Sequence, residues 1–277
     1  MPNPVALITG ACPGIGLALA HHLFETGWHL VMLDLQVPPA EVVLPEHSTL
    51  YLKADVSLWS RQADAFAQAF AWRMRLDLAA LNAGIDDRDD IFNSINISQQ
   101  PRKPKSLTFE VNLIGVDYGI KLFAHYASRS PKPGGQITIT SSGAGIYGSP
   151  PMPQYAATKA GVIALGRSLA PSAVQHNITI NVICPMMVET PLPPQAFFDV
   201  FCKNQITPME TVLQGFGQLI DPEGTLNGQV FEVGPTGIVQ IDFMKQESSS
   251  VHLDSGFQRK FMEVFIDRNV NYAAEDV

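Results

Sequence analysis

The chain has 277 residues, 46% of them hydrophobic and only 16% charged, enough for one sizeable domain with a large buried core. Lys and Arg number 18 against 26 Asp and Glu, a net charge of −8, which leaves no electrostatic footprint for nucleic acid or anionic lipid. No apolar stretch reaches the ~18 residues of a membrane span, the start Met1-Pro2-Asn3-Pro4 has no basic region leading into an apolar one, and Cys12, Cys184 and Cys202 lack metal-ligand spacing, so they read as reduced thiols of a cytoplasmic protein.

Val5–Ile8 reads as a buried strand and Gly10–Gly16 as a loop. From Ile15 the apolar positions Ala18, Leu19 and Leu23 recur at helical spacing, and Gly27 stops that helix. Leu30–Leu33 and Leu50–Lys53 are the next strands, Ala63–Phe70 is an Ala-rich amphipathic helix, and Leu78–Leu81 is a fourth strand. Asp86–Lys105, polar and carrying Pro101 and Pro104, is an extended loop above the C-terminal edge of the sheet. Ser106–Arg129 is helical and closes at the Pro131–Gly135 turn. Ile137–Ser141 is a fifth strand, Tyr155–Leu169 a helix, Ile178–Cys184 a sixth strand and Gln229–Val233 a seventh. This alternation predicts an α/β fold, a parallel sheet covered by helices on both faces. No composition break divides the chain, so residues 1–277 are read as one domain with a C-terminal extension over 235–277. In that extension a helix is expected near Ser255–Arg268, with Phe257, Phe261, Val264 and Phe265 on one face.

Two groups of residues carry chemistry. The first strand runs into Thr9-Gly10-Ala11-Cys12-Pro13-Gly14-Ile15-Gly16. Glycines there let the backbone approach a phosphate, and the following helix offers free N–H groups and a positive dipole end. Asp34 ends the second strand, 24 residues after Gly10. A carboxylate there binds ribose hydroxyls and repels a 2′-phosphate; its neighbours Leu33 and Leu35 supply no compensating cation, which favours NAD over NADP. In the second group Tyr155 and Lys159 stand at i and i+4, on one face of a helix. An unperturbed phenol, near pKa ~10, is a poor base at neutral pH, and a nearby cation stabilises its ionised form. Tyr155 then serves as general base for alcohol oxidation or general acid for carbonyl reduction. Ser142, 13 residues upstream, is placed to hold the substrate oxygen.

With these residues in place, the sequence resembles the short-chain dehydrogenase/reductase family over about residues 4–235. Thr9-Gly10-x-x-x-Gly14-x-Gly16 matches its cofactor motif, and Ile15 falls within it. Asp55-Val56 matches the pair placed by the adenine ring, and Asn82-Ala83-Gly84 the family's Asn-Ala-Gly. Asn112 matches the asparagine that holds a water linked to the lysine. Ser141-Ser142-x-x-Gly145 matches the catalytic serine segment, and Tyr155 and Lys159 the catalytic pair. Pro185-x-x-Val188-x-Thr190 matches the segment that binds the nicotinamide carboxamide. The resemblance implies a Rossmann-like doubly wound sheet of about seven parallel strands. It also implies a proton relay from Tyr155 through ribose and Lys159 to the Asn112 water, and homodimers or homotetramers. The ending Leu226–Val233 followed by Gly234-Pro235 looks more like the 15-hydroxyprostaglandin dehydrogenase branch, whose members use NAD.

Three departures stand out. Met186 replaces the family's usual Gly after Pro185. The 30 residues from Asn82 to Asn112 exceed the usual spacing. Pro171 falls where the family helix continues, so that helix is expected to kink or end there. The substrate pocket is expected from Ile146, Tyr147, Met152, Met186, Met187, Leu192, Phe197, Phe198, Phe201 and Phe216, walls that suit a hydrophobic secondary alcohol or ketone. Two other readings remain open: an NADPH-dependent ketoreductase, and a non-redox cofactor-binding member of the same fold. Nothing in the sequence suggests a catalytic metal.

Overall fold

Strand β1 (Val5–Thr9) is apolar on both faces and all five of its residues are buried. Such a strand needs cover above and below, so it lies inside a layered structure. The computed structural model, which describes residues 3–36, 38, 44–92, 98–192, 195–221 and 223–242, has this layering. Around β1 lie β2 (His29–Asp34), β3 (Thr49–Lys53), β4 (Leu78–Leu81), β5 (Gly135–Thr140), β6 (Ile178–Pro185), β7 (Val230–Gly234) and β8 (Gly237–Gln240). They form one eight-stranded sheet in the order β3-β2-β1-β4-β5-β6-β7-β8. The first seven are parallel, with Val5 opposite His29 and Ala6 opposite Leu78.

Alternation along each strand divides the core in two. Val5, Leu7, Val31, Leu81, Ile139 and Val182 point to one face, where they meet α2 (Trp59–Arg73), α4 (Gly115–Ala127) and α6 (Pro153–Ala173) through Phe66, Phe123 and Val162. Ala6, Ile8, Leu30, Met32, Ile183 and Val233 point the other way, towards α1 (Ile15–Glu25) and α8 (Met209–Leu219), through Leu19, Leu23, Val212 and Phe216. Shorter helices are α3 (Leu107–Phe109), α5 (Gly143–Tyr147) and α7 (Gln195–Phe198). The chain leaves β1 for β2 and β3 on one side, then returns to place β4 on the other. The reversal opens a crevice at the carboxyl ends of β1 and β4.

Three elements differ from the expected pattern. An eighth strand pairs antiparallel to β7, Phe231 opposite Gln240 and Gly234 opposite Gly237, across the two-residue turn Pro235-Thr236. The expected single helix from Ser106 contains a π-helical turn at Glu110–Ile114 between α3 and α4. Helix α6 passes through Pro171 to Ala173 and only then tightens into a 3₁₀ turn, Val174–His176. Pro171 lies in the last turn of α6, so its ring and missing N–H fall where little helix remains to be kinked, and Asn227 Nδ2 donates to the Ala170 carbonyl at 2.8 Å.

The expected helix at Ser255–Arg268 lies outside the described residues, as do residues 93–97 of the Asp86–Lys105 loop. Among the described residues no helix is long and apolar enough to cross a membrane.

Candidate active site

One cavity of about 1040 Å³ opens along the carboxyl ends of the sheet. Gly10, Gly14, Ile15, Asp34, Asp55, Val56, Asn82, Ala83, Gly84, Ser142, Tyr155, Lys159, Pro185, Val188 and Thr190 all line it. Gly16 and Asn112 stand behind its wall.

At one end the β1–α1 turn is braced from three sides. Gly10 has φ +62°, and Gly14, with φ 86°, begins α1 with no side-chain cap and no acidic residue in the first turn. No acidic side chain within that first turn competes for its free N–H groups, and Gly14 and Ile15 line the cavity. A Cβ on Gly16 would strike the Gly10 carbonyl and lie 2.8 Å from Asn82 Nδ2, so this position admits only glycine. Asn82 Nδ2 donates to the Gly10 carbonyl at 3.0 Å, and the Thr9 hydroxyl oxygen accepts from the N–H groups of Asn82 and Ala83 at 3.0 and 3.1 Å. Asp34 accepts from Cys12 N at 2.8 Å on one oxygen and from Gln36 N at 3.0 Å on the other. Each oxygen keeps a lone pair for a further donor. Asp55 does not cap α2, which begins at Trp59; one of its oxygens accepts from the Ser57 N–H and hydroxyl at 2.9 and 2.7 Å.

At the other end α5 and α6 bring three polar side chains together. Ser142 caps α5, its oxygen accepting from Ala144 N at 3.2 Å. Burial pushes Tyr155 above the ordinary phenol range, and the Ser142 hydroxyl works against that shift. Lys159 is buried, and its ammonium donates to the Thr140 carbonyl at 2.8 Å and lies 5.5 Å from the centroid of the Tyr155 ring. Burial lowers its pKa to about 8. The lysine is expected from the sequence to stabilise the phenolate; in the structure burial sets the direction of the Tyr155 shift, and the Cys184 and Asp86 charges add to it. The π turn aims Asn112 at the loop after β4. Its Oδ1 accepts from Ile85 N and its Nδ2 donates to the Ile85 carbonyl, both at 2.8 Å, with Thr158 Oγ1 at 3.2 Å.

The wall beyond Ser142 is apolar, with Tyr147, Met152, Met186, Met187, Leu192 and Phe201 lining the cavity. Three other residues expected there are elsewhere. Phe216 is fully buried between α8 and the sheet, Ile146 packs on the core of the opposite face, and Phe198 is buried away from the cavity lining. The Phe197 side chain lies outside what the structure describes. Asn204 and Gln205, from the 3₁₀ turn Lys203–Gln205, add polar groups that no spacing in the sequence marks. Asp87 was also invisible: its carboxylate accepts from Gln154 N at 3.1 Å and Tyr155 N at 2.5 Å, at the start of the helix that carries the phenol.

The family model described as short chain dehydrogenase matches residues 4–197. The chain is 31% identical over 244 residues to the short-chain dehydrogenase/reductase prx6 of Penicillium rubens, covering 82% of each chain. It is 32% identical over 198 residues to the 15-hydroxyprostaglandin dehydrogenase [NAD(+)] of Mus musculus, covering 68% of each. It spans 57% of the length of the prx4 relatives from two Penicillium species. Among solved structures, a 3-ketoacyl-(acyl-carrier-protein) reductase from Brucella melitensis complexed with NADH superposes with a TM-score of 0.71 at 21% identity, over 83% of this chain and 96% of that one. The chain belongs to the short-chain dehydrogenase family of nicotinamide-dependent oxidoreductases.

Proposed function

We propose that the protein is an NAD-dependent oxidoreductase acting on a hydrophobic secondary alcohol/ketone pair, with Tyr155 as the general acid/base. The observation that carries this reading is a single cavity with the Asp34 carboxylate at one end and Ser142, Tyr155 and Lys159 at the other. The residues present fit a dinucleotide: an uncapped helix start for a pyrophosphate, a turn that only glycine can form, and a carboxylate with acceptor capacity left. When bound, the nicotinamide supplies or accepts the hydride.

The chain's own residues handle the oxygen and its proton. Ser142 orients the substrate oxygen towards Tyr155. In oxidation the Tyr155 oxygen takes the hydroxyl proton; in reduction the phenol returns it to the carbonyl oxygen. Lys159, kept in place by Thr140, contributes positive charge below pH about 8, and Asn112 is the far end of the proton route. Asp34 accepts from ribose hydroxyls and disfavours a 2′-phosphate, and the mouse relative's name, which carries both NAD(+) and a hydroxylated prostaglandin, supports the same cofactor and an apolar alcohol. The methionine and aromatic wall agrees with such a substrate.

Calorimetry with NAD(H) and NADP(H) on wild type and Asp34→Ala tests the cofactor half. NAD(H) is expected to bind the wild type more tightly, and the preference to shrink at least tenfold in the variant. A wild-type preference for NADPH would redirect the reading to a ketoreductase. On a panel of lipophilic secondary alcohols, Tyr155→Phe is expected to lower turnover by ~10²–10⁴ while dinucleotide binding persists. Dinucleotide binding with no turnover of any alcohol or ketone would favour the non-redox reading, and binding of neither dinucleotide would overturn both.

A further inference from the structure

Gly143 begins α5, directly after Ser142, and has none of the positive φ that Gly10, Gly14 and Gly148 show. Glycine is the residue least favourable to a helix after proline, so its presence here calls for a reason other than backbone conformation. The reason is lateral. A Cβ on Gly143 would fall inside the van der Waals sphere of Met186 Sδ, and 3.2 Å and 3.7 Å from its Cε and Cγ. On its other flank Met186 Cγ lies 3.5 Å from where a Cβ would stand on Gly234, a second glycine without positive φ, at the end of β7. The Met186 thioether therefore fills a niche between two bare stretches of backbone. Its main chain stays in register, Met186 N donating to the Val233 carbonyl at 2.8 Å. Met186 and Gly143 line the same cavity as Ser142 and Tyr155.

We infer that Met186 is the residue that sets the room beside Ser142 for the substrate, and that Gly143 is the position that admits it. The inference rests on the oxidoreductase reading above for the word substrate, but not for the packing. A side chain that fills this space from residue 143 would be fixed by its own short helix. Delivered from residue 186, it is an unbranched thioether with three rotatable bonds, able to reshape against a flat or branched apolar group. The wall next to the reacting carbon is thus adjustable, and its limit is the length of one methionine.

Two measurements test this. Thermal unfolding is recorded for wild type, Gly143→Ala, Met186→Ala and the double variant. Gly143→Ala is expected to lower Tm with Met186 present and to raise it with Met186→Ala, because the added methyl then meets open space in a helix. The same sign in both backgrounds overturns the pairing. Selectivity is read with phenyl alkyl ketones from methyl to tert-butyl, each scored by NADH-coupled turnover and by thermal shift of the NADH-saturated protein. Met186→Ala is expected to move the preference towards the larger ketones by tenfold or more. Met186→Leu, close in volume but branched and shorter in reach, is expected to narrow the accepted range. A uniform change across the series in both readouts overturns the specificity role. Size-dependent thermal shifts without any turnover would instead sink the oxidoreductase reading and leave this one standing.

Discussion

Thr9 shows how one hydroxyl can hold a site together. It ends β1, and its oxygen accepts the N–H groups of both Asn82 and Ala83, the first residues past β4. The crevice between β1 and β4 is thus fixed by two bonds to one atom. Thr9→Val keeps shape and burial but leaves two N–H donors without that acceptor; the expected loss is about 1–3 kcal/mol of unfolding free energy in a denaturant titration. Dinucleotide affinity is expected to fall in the same variant, since Asn82 Nδ2 also braces the Gly10 carbonyl. The glycines, Asp34, Ser142, Tyr155 and Lys159 were legible because their chemistry depends on type and short spacing, i to i+4 on a helix or a strand-to-helix turn. The bracing by Thr9, the capping by Asp87 and the contact of Met186 with Gly143 were not, because each acts on a partner 43 or more residues away.

Helix α6 carries the phenol and the ammonium, yet its N-cap position, Met152, supplies no side-chain bond. Asp87 does the capping from the loop after β4, and the Lys105 carbonyl accepts from Gln154 Nε2 at 3.4 Å from the other end of that loop. Asp89 ties the two loop ends together, accepting from Arg102 at 3.1 Å and from Lys105 N at 3.0 Å. The long Asn82–Asn112 spacing therefore also sets the start of the helix that carries Tyr155 and Lys159. Asp87→Ala is expected to cost about 0.5–2 kcal/mol, the range for a lost N-cap, with Asp87→Asn recovering most of it; urea unfolding of the three proteins checks this. Equal stability of Asp87→Ala and wild type would mean that water replaces the carboxylate. Strand and helix order was legible because alternating and 3.6-residue apolar periods report burial on two faces. The β8 hairpin, the π turn and the passage of α6 through Pro171 were not, since each follows from a neighbouring element and not from local pattern.

Burial on both faces of the sheet also places ionisable groups in apolar surroundings, and their shifts oppose one another in the folding equilibrium. Lys159 falls from 10.5 to about 8 on burial. Below pH 8 both states carry its proton and the cost of burying the charge is fully present. Between 8 and 10.5 the folded state has released the proton while the unfolded state still binds it, so stability rises with pH. The thiols act in reverse. Burial, with the Asp34 charge adding to it, lifts Cys12 from 9.0 to about 11, and burial lifts Cys184 from 9.0 to about 12. Above pH 9 the unfolded chain loses these protons while the folded protein keeps them, so stability falls. One proton favours the folded state from pH 8, and two oppose it from pH 9. The protein without dinucleotide is therefore expected to show its highest Tm near pH 9, with a rise below and a fall above. Calorimetric scans across pH 7–11 check this. Lys159→Met is expected to flatten the rising limb and keep the fall, whereas Cys184→Ala is expected to soften the fall and keep the rise. A profile flat to pH 11 in all three proteins would mean that water reaches these groups in the native state, and that the cavity end holding Lys159 is wetter than its buried surroundings imply.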